Sequence, residues 1–341
     1  MKQKLFKQFN QKDWNEILKG FNEHHYLHTY ESIEHIQKTF PNLINISQII
    51  YDDENKPFAV LQLFITRDKK KKINKISINE AGCIKPIIKD SLDQSLNKKN
   101  LKKLNKIILE IAYLNNIREI HFIQKPIYSK NKKNFLSAIN LFDYLNLDYQ
   151  CIVHNSMIVD LRITKKKIFD NFSKSRKKSI KKNIQQQQEV LILNNLSQPD
   201  ELDFYFEKFK KLHKNLAKRK NYNNDFYKCI YFFIKNNSGI LFVSLVKKTP
   251  ISFLFCRFDG DLAAGSIAAN FDQYEKKFFP RHNLEWTAIK YFKKKKVKFY
   301  ELGIRFNQNH VKNDTKLLTI SEFKDRYGGM YFPEVHYFKK L

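Results

Sequence analysis

Apolar segments follow the same order in the two halves of this chain. In the first half, strand-like segments precede a helical pattern of apolar residues at 101–114 and a strand at Ile117–Ile123. In the second half, two strands within 251–269 precede a helical pattern at 284–292 and a strand at Val297–Gly303. Because antiparallel strands, a helix and a further strand recur in one order, the pattern predicts two similar α+β domains.

Length and composition agree with two folded domains. The chain has 341 residues, which is too long for one ordinary core. Its hydrophobic content of 42% is enough for two cores. We predict a first domain at residues 1–160 and a second at 161–330. Each is expected to be a mixed, mainly antiparallel sheet flanked by helices. The tail at 331–341 is expected to pack back onto the first domain.

The net charge of +29 attracts polyanions such as nucleic acid. The chain is also rich in Lys, Asn, Ile, Phe and Tyr, which AT-rich codons encode, and its lysine runs at 69–72, 165–167 and 293–296 are scattered. We therefore interpret most of the charge as solvated surface. A basic nucleic-acid-binding module stays open as an alternative function.

Cysteine usage and hydropathy predict the compartment. The four cysteines lie far apart with no Cys-x-x-Cys, a pattern typical of a reducing environment. The N-terminus has no apolar secretory segment, and no run approaches eighteen apolar residues. The sequence predicts a cytoplasmic protein without a transmembrane segment.

Residues 164–188 form a strongly basic segment. One helical face is predicted to carry its apolar residues, with Lys and Arg on the other face. Those apolar residues are Phe169, Phe172, Ile180 and Ile184. The basic face is either solvated or binds phosphates, and Arg176 and Lys177 are the candidates for such contacts.

A lysine between aromatic residues stands at 323–329, in the sequence Phe-Lys-Asp-Arg-Tyr-Gly-Gly, which we call the lysine motif. Adjacent glycines, in a chain with only 8, permit positive φ and a close backbone approach to a ligand. A lysine ammonium suits a phosphate or a developing oxyanion. The same residues would also suit a tight turn closing a last hairpin. The position of the motif after the repeated strand–helix–strand unit favours a functional site.

Other candidate sites are less complete. His24 and His28 could share a helix face, but no acidic or cysteine partner nearby completes a metal site, so none is predicted. Cys229 and Cys256 have apolar or aromatic neighbours and are interpreted as buried structural thiols. The chain lacks Gly-x-Ser-x-Gly, Gly-x-Gly-x-x-Gly and Gly-Lys-Ser/Thr sequences, which disfavours hydrolase, dinucleotide and ATP-dependent functions.

The order of elements at 240–303 resembles the GNAT acyltransferase fold. In acetyl-CoA users of that fold, a glycine-rich loop ahead of the central helix binds the pyrophosphate. The matching stretch here, 276–284, has no glycine, which disfavours acetyl-CoA. Arg281 and the helix N-terminus could still hold an anion.

Four elements together resemble the Fem peptidyltransferase family, whose members carry two GNAT-like domains. They are the basic helix at 173–182, the helix at 284–289, the strand end at 300–303 and the lysine motif. The match extends over nearly the whole chain and is strongest from 160 to 330. Relatives include enzymes that add amino acids from aminoacyl-tRNA to a peptidoglycan precursor, and a branch found in surface-polysaccharide clusters. Tyr327 stands where members often have Phe, and no coiled-coil arm is inserted.

The resemblance implies amide formation by acyl transfer. Lys324 matches the family lysine that stabilises the tetrahedral oxyanion, with Phe323 and Tyr327 packing around it. Gly328 and Gly329 would let the backbone turn beside the substrate.

Further residues are implied to bind substrate. Arg219 falls where the family places an arginine on the phosphates of the acceptor. Arg176, Lys177 and Arg281 are candidates for contact with tRNA phosphate or a diphosphate-linked acceptor. No general base is assigned, and Glu285, Glu301 and Glu322 are candidates by proximity alone.

These observations predict a transferase that places an aminoacyl or acyl group on an amino group of a peptidoglycan or surface-polysaccharide precursor. The expected donor is aminoacyl-tRNA, and no tightly bound cofactor is expected. The alternative is an acyl-CoA-dependent N-acyltransferase acting on a nucleotide- or lipid-linked amino sugar. A lipid-linked acceptor would bring the protein to a membrane surface.

Overall fold

A computed structural model describes residues 2–21, 24–68, 72–78, 82–89, 94–129, 134–136, 144–186, 188–217, 222–306 and 315–341. The chain divides into two compact units, residues 1–154 with 333–341, and residues 155–332. The domain boundaries predicted from the sequence lie between residues 160 and 161 and between residues 330 and 331. None of the described helices is both long and apolar enough to cross a lipid bilayer.

The first unit begins with short helices and continues with strands around one long helix. Its elements are β1 (Lys2–Leu5), α1 (Gln11–Lys19), α2 (Tyr30–Thr39), β2 (Ile44–Asn45), β3 (Gln48–Tyr51), β4 (Pro57–Leu61), β5 (Phe64–Asp68), β6 (Ile73–Ile76), β7 (Cys83–Ile84), β8 (Ile87–Ile88), α3 (Gln94–Leu114), β9 (Ile117–Gln124), β10 (Ile127–Ser129) and β11 (Asn134–Leu136). The chain enters the second unit within β12 (Gln150–Asp160).

The second unit places helices before and after its strands. Its elements are α4 (Lys165–Asp170), α5 (Lys174–Gln185), β13 (Glu189–Leu193), α6 (Pro199–Ala217), α7 (Asn224–Lys235), β14 (Gly239–Val246), β15 (Thr249–Asp259), β16 (Leu262–Asn270), α8 (Asp272–Phe278), α9 (Pro280–Lys294), β17 (Phe299–Arg305) and α10 (Thr315–Asp325). The chain returns to the first unit within β18 (Met330–Lys340).

Both units contain the order predicted from the sequence, in which antiparallel strands precede a helix and a further strand. In the first, β5 and β6 are antiparallel, α3 follows, and β9 pairs in parallel with β6. In the second, β15 and β16 are antiparallel, α9 follows, and β17 pairs in parallel with β16. The strands around α3 and around α9 thus form mixed, mainly antiparallel sheet, and the predicted α+β class is confirmed.

The sheet of the second unit is covered on both faces, which explains its unbroken apolar strands. In β14, Ile240 and Phe242 pack with α4, α5 and α9, whereas Leu241 and Val243 pack with α6 and α7. Alternate residues of a strand point to opposite faces, so each strand supplies two cores.

Several local predictions were wrong. The strands predicted at 43–51 and 58–66 are each broken into two. The turn predicted at 249–250 lies at Lys247 and Lys248, which have φ of 49° and 64°.

The basic segment also differs from its prediction. It forms two helices, α4 and α5, with a break at residues 171–173. Arg176, four residues before the buried Ile180, is 1% exposed, whereas Ile184 in the last turn of α5 is 59% exposed. A single apolar face opposite the cations was therefore the wrong interpretation.

Candidate active site

Lys324 lies in the last turn of α10, and its Nζ donates a hydrogen bond to the carbonyl oxygen of Ile304 at 2.5 Å. The neighbouring Gly303 has a φ of 88°. A Cβ at Gly303 would lie 3.4 Å from Nζ. The half-buried ammonium group is therefore held against a backbone segment of β17 that carries no side chain at Gly303.

Strands β16 and β17 stop pairing beside this lysine. Their parallel pairing covers residues 262–264 and 299–301. We call the space between residues 265–270 of β16 and 302–305 of β17 the strand wedge. Gly265 directly follows the last paired residue of β16, and Gly303 lies just beyond the last paired residue of β17. Glycines thus line both sides of the point where the strands separate.

The two glycines of the lysine motif fit close backbone contacts. Gly328 has a φ of 57°, and a Cβ there would lie 2.0 Å from the carbonyl oxygen of Asn171. A Cβ at Gly329 would lie 2.7 Å from the carbonyl oxygen of Ile158. The pair connects α10 to β18, so it does not close a hairpin between two strands. Side chains at either position would push the motif away from its neighbours.

Arg176 is buried beneath the lysine motif. Its Cζ lies 4.4 Å from the ring centroid of Phe323 and 4.4 Å from that of Tyr327. Its Nη2 donates to the carbonyl oxygen of Phe323 at 3.0 Å. One turn earlier, the backbone N–H of Ser173 donates to the carbonyl oxygen of Arg326. Residues 171–176, which we call the contact segment, therefore fix the backbone that carries Lys324.

A second set of contacts, which no sequence pattern predicts, holds the end of α10. Arg305 Nε donates to both carboxylate oxygens of Asp325 at 3.0 Å. The hydroxyl of Tyr331 donates to Asp325 Oδ1 at 2.7 Å. Hydrogen bonding to Asp325 raises the pKa of Arg305, despite partial burial. These bonds tie the residue next to Lys324 to β17, the strand that carries Ile304.

A chain of buried polar groups begins at the strand wedge. Tyr300 donates from its hydroxyl to Glu285 Oε2 at 2.5 Å, and Arg281 Nη2 donates to Glu285 Oε1. The Tyr300 hydroxyl also lies 3.5 Å from Cys256 Sγ. A Cβ at Gly265 would lie 2.8 Å from that hydroxyl, so this glycine makes room for the chain of groups.

These contacts change the acidity of the participating groups. Burial raises the pKa of Cys256, and the nearby Glu285 carboxylate adds to the rise. The Cys256 thiol therefore stays protonated, consistent with a structural role. Burial likewise raises the pKa of Tyr300. For Arg281, burial is the largest single influence and would lower the pKa, but Glu285, Tyr300, Tyr327 and Cys256 together raise it.

The remaining candidates lie in different settings. Lys177 Nζ donates to the carbonyl oxygen of Asp170 at 3.1 Å, at the end of α4. Glu301 is buried and accepts from Ser156 Oγ at 2.7 Å, whereas Glu322 is exposed on α10. Arg219 lies outside the described residues.

The N-terminal histidines serve the packing of the first unit. His28 is fully buried, and its Nε2 bonds to the carbonyl oxygen of Lys85 at 3.0 Å. Its own carbonyl accepts from Trp14 Nε1 at 2.8 Å. Burial lowers the pKa of His28 to about 4, so the ring is neutral at pH 7. In the described residues, no three His, Cys, Asp or Glu side chains lie together as a metal site would need.

Comparison with known proteins supplies a structural relationship and no sequence relationship. No family model and no curated protein sequence matches the chain. Among solved structures, FemX superposes with a TM-score of 0.67 over 100% of this chain and 98% of its own, at 12% identity. The chain has the fold of FemX. The fold resemblance to Fem proteins and their tandem GNAT-like architecture, both predicted from the sequence, are thereby confirmed.

Other solved structures share this fold. L-PGS from Bacillus licheniformis has a TM-score of 0.59 at 9% identity, covering 97% of this chain and 92% of its own. A conserved protein of unknown function from Bacteroides thetaiotaomicron has a TM-score of 0.62 at 9% identity, covering 98% of each chain. At these identities the similarity to FemX and to L-PGS is a similarity of fold.

Proposed function

We propose that this protein is an acyltransferase that forms an amide on an amino group of a cell-envelope precursor, with Lys324 stabilising the oxyanion. The observation that carries the proposal is the ammonium of Lys324, held on β17 beside Gly303 where β16 and β17 separate. An extended donor would enter the strand wedge, and its carbonyl would lie against a backbone without a side chain.

The chemistry follows from that placement. The acceptor amine attacks the carbonyl carbon of the donor ester, and the carbonyl oxygen becomes negative in the tetrahedral intermediate. A fixed ammonium group stabilises that charge more than the neutral ground state, which lowers the barrier. Collapse of the intermediate expels the alcohol of the ester, and the proton lost by the amine balances the one gained by the leaving group.

The fold supports transfer in the cell envelope. One structure of the same fold, with a TM-score of 0.58 at 10% identity over 86% of this chain and 84% of its own, is described as the C-terminal domain of a lysylphosphatidylglycerol synthetase from Agrobacterium fabrum. That name denotes an aminoacyl group joined to a membrane lipid. For this chain we propose an amine acceptor on a nucleotide- or lipid-linked precursor of peptidoglycan or surface polysaccharide.

The start of α9 favours aminoacyl-tRNA over acyl-CoA as donor. The first residue of the helix is Pro280, which has no N–H to offer a pyrophosphate. The preceding Phe279 is held by a bond from Asn183 Nδ2 to its carbonyl oxygen. The net charge of +29 suits a polyanionic donor. Acyl-CoA with an amino-sugar acceptor stays the second candidate, supported by the GNAT-like strand wedge.

Transfer from labelled aminoacyl-tRNA to envelope precursors tests the proposal. Lys324→Met, which keeps the length of the side chain, should lower the transfer rate by roughly a hundredfold to a thousandfold. Lys316→Met is the matched control, because Lys316 is an exposed lysine of the same helix. Full turnover by Lys324→Met would contradict the oxyanion role.

Two further measurements separate the alternatives. A thermal shift with micromolar acyl-CoA would favour the second donor. RNA binding that weakens steeply with salt, without product from any donor, would favour a nucleic-acid-binding module.

A further inference from the structure

Two arginines beside the lysine motif carry buried donor nitrogens that no acceptor contacts among the described residues. Arg176 is 1% exposed and uses Nη2 on the carbonyl of Phe323, while its Nε and Nη1 are buried with no partner in the described part of the chain. Arg281, whose side chain is 15% exposed, uses Nη2 on Glu285, and its Nε and Nη1 are likewise buried with no described partner. Buried guanidinium donors are costly to leave unpaired, so four such nitrogens indicate a missing acceptor.

Both guanidinium groups face one aromatic ring. The Cζ of Arg176 lies 4.4 Å from the ring centroid of Phe323, and the Cζ of Arg281 lies 5.9 Å from the same centroid. The ring of His282 packs on Phe323 at 5.6 Å, and its buried Nδ1 has no partner among the described residues. The Tyr327 hydroxyl is also buried, with no partner in the described part of the chain. We call this set of side chains the arginine pocket.

Only one carboxylate is hydrogen-bonded to an arginine of the arginine pocket among the described residues. The carboxylate of Glu285 is already shared between Arg281 and Tyr300. The other nearby carboxylate is Glu275, whose Oε2 is buried and has no partner among the described residues, and burial raises its pKa. Burial lowers the pKa of Arg176, and the neighbouring positive charges of Arg326 and Arg281 lower it further. Burial likewise lowers the pKa of His282 to about 3, so that ring adds no positive charge at neutral pH. Among the described residues, Arg176 therefore has no hydrogen-bonded carboxylate as its counter-ion.

We propose that the arginine pocket binds one oxyanion group, a carboxylate or a phosphate, and that Arg176 and Arg281 are its ligands. Such a group accepts hydrogen bonds through several lone pairs and donates none, which matches a set of unpaired donors. Arg281 lies at the entrance of the arginine pocket, because its side chain is partly exposed. Arg176 forms the buried end of the pocket.

The arginine pocket lies between the two parts of the proposed active site. Phe323, which both arginines face, precedes Lys324 in α10. Glu285, which binds Arg281, has its carboxylate 3.5 Å from where a Cβ of Gly265 would stand in the strand wedge. An acidic group of a substrate held here would fix that substrate beside Lys324. This last step rests on the proposed transfer function, whereas the binding of an oxyanion does not.

NMR resonances of the arginine side chains can measure the binding of the oxyanion. The chain has nine arginines, so their ¹⁵Nε–H resonances can be resolved and assigned by Arg→Lys variants. Titration with sodium phosphate, and separately with sodium acetate, should shift the resonances of Arg176 and Arg281 and saturate. The resonance of Arg162, paired with Asp160 outside the pocket, should not follow, and sodium chloride at equal ionic strength should have no such effect.

Saturation by phosphate alone identifies a phosphate group, and saturation by acetate alone identifies a carboxylate. Absence of saturation with both probes, or equal shifts at all arginines, would overturn the proposal. Anion binding without transfer would contradict only the proposed function, and transfer without anion binding would contradict only the arginine pocket.

Two variants provide independent tests. Arg281→Gln should weaken the affinity for the probe at least tenfold, whereas Arg162→Gln should leave it unchanged. Glu275→Gln removes a nearby carboxylate whose Oε2 accepts no hydrogen bond from the described residues, so the fold should tolerate this substitution. The affinity of this variant for the probe should rise severalfold, because an internal competitor for the guanidinium charges is gone. An unchanged affinity in Glu275→Gln would contradict the charge argument even if Arg281→Gln failed to fold.

Discussion

Replacing Gly328 by alanine tests the contact between the lysine motif and the contact segment. Alanine at a φ of 57° costs about 1–2 kcal/mol for the left-handed conformation. Its Cβ would also lie 2.0 Å from the carbonyl oxygen of Asn171, a backbone atom that cannot rotate away. Overpacking of this kind adds about 1–3 kcal/mol. The free energy of unfolding should therefore fall by about 2–5 kcal/mol.

Gly260→Ala is the matched control in the same unit. Gly260 has a φ of 53°, and a Cβ there would have no neighbour within 4 Å. This variant should lose only the conformational cost, about 1–2 kcal/mol. With an m-value of about 2 kcal/mol per molar urea, the unfolding midpoints of the two variants should differ by roughly 0.5–1.5 M. Equal midpoints would refute the steric argument and with it the described contact to Asn171.

Three further outcomes are expected. Asp325→Asn should cost only about 1 kcal/mol of stability, since its pair with Arg305 is partly exposed, yet it should slow transfer about tenfold by loosening the end of α10. Asp200→Asn, at an exposed residue of α6 in the same unit, is the control, and equal rates for the two would count against a positioning role. Because His28 has its pKa lowered from 6.5 to about 4, the unfolded state takes up the proton first as the pH falls, so stability present above pH 6.5 should be lost between pH 6.5 and 4, by at most about 3 kcal/mol. Urea unfolding across this range should show a flatter pH dependence in His28→Gln, and an unaltered slope would contradict the burial argument. Tyr327→Phe should leave stability within about 1 kcal/mol of wild type, because the Tyr327 hydroxyl has no hydrogen-bond partner among the described residues and its ring keeps Arg176 in place. A larger loss in urea unfolding would show that the hydroxyl is bonded.

The fold was predictable because its signal is repeated and local. Apolar periodicity marks β15, β16, α9 and β17 in the order found in the first unit, and order alone restricts the topology strongly. Strand breaks were missed because they depend on how a segment bends over its neighbours. The 43–51 segment is equally apolar on both sides of its break.

The lysine motif was recognisable from residue types, but its surroundings were not. Nothing in the sequence relates Arg305 to Asp325, which bind each other across 20 residues. Arg176 was expected on a solvated face because cations usually are. It is buried because it lies four residues before the buried Ile180, on the same face of α5. Gly265 carried a usable signal, since glycine inside a strand often marks a bulge or a close approach.

The contact between Arg176 and Phe323 has a consequence for biosynthesis. These residues are separated by 147 positions, so the contact segment leaves the ribosome about 7–30 s before the lysine motif at 5–20 residues per second. The first unit also cannot complete its sheet until the end of synthesis, because β9 pairs with residues 335–340. Neither unit can therefore complete its structure co-translationally before this late segment is made. Until then, surfaces that are buried in the folded protein, such as those around Arg176, stay exposed in the nascent chain. This exposure makes the nascent chain a candidate client for chaperones.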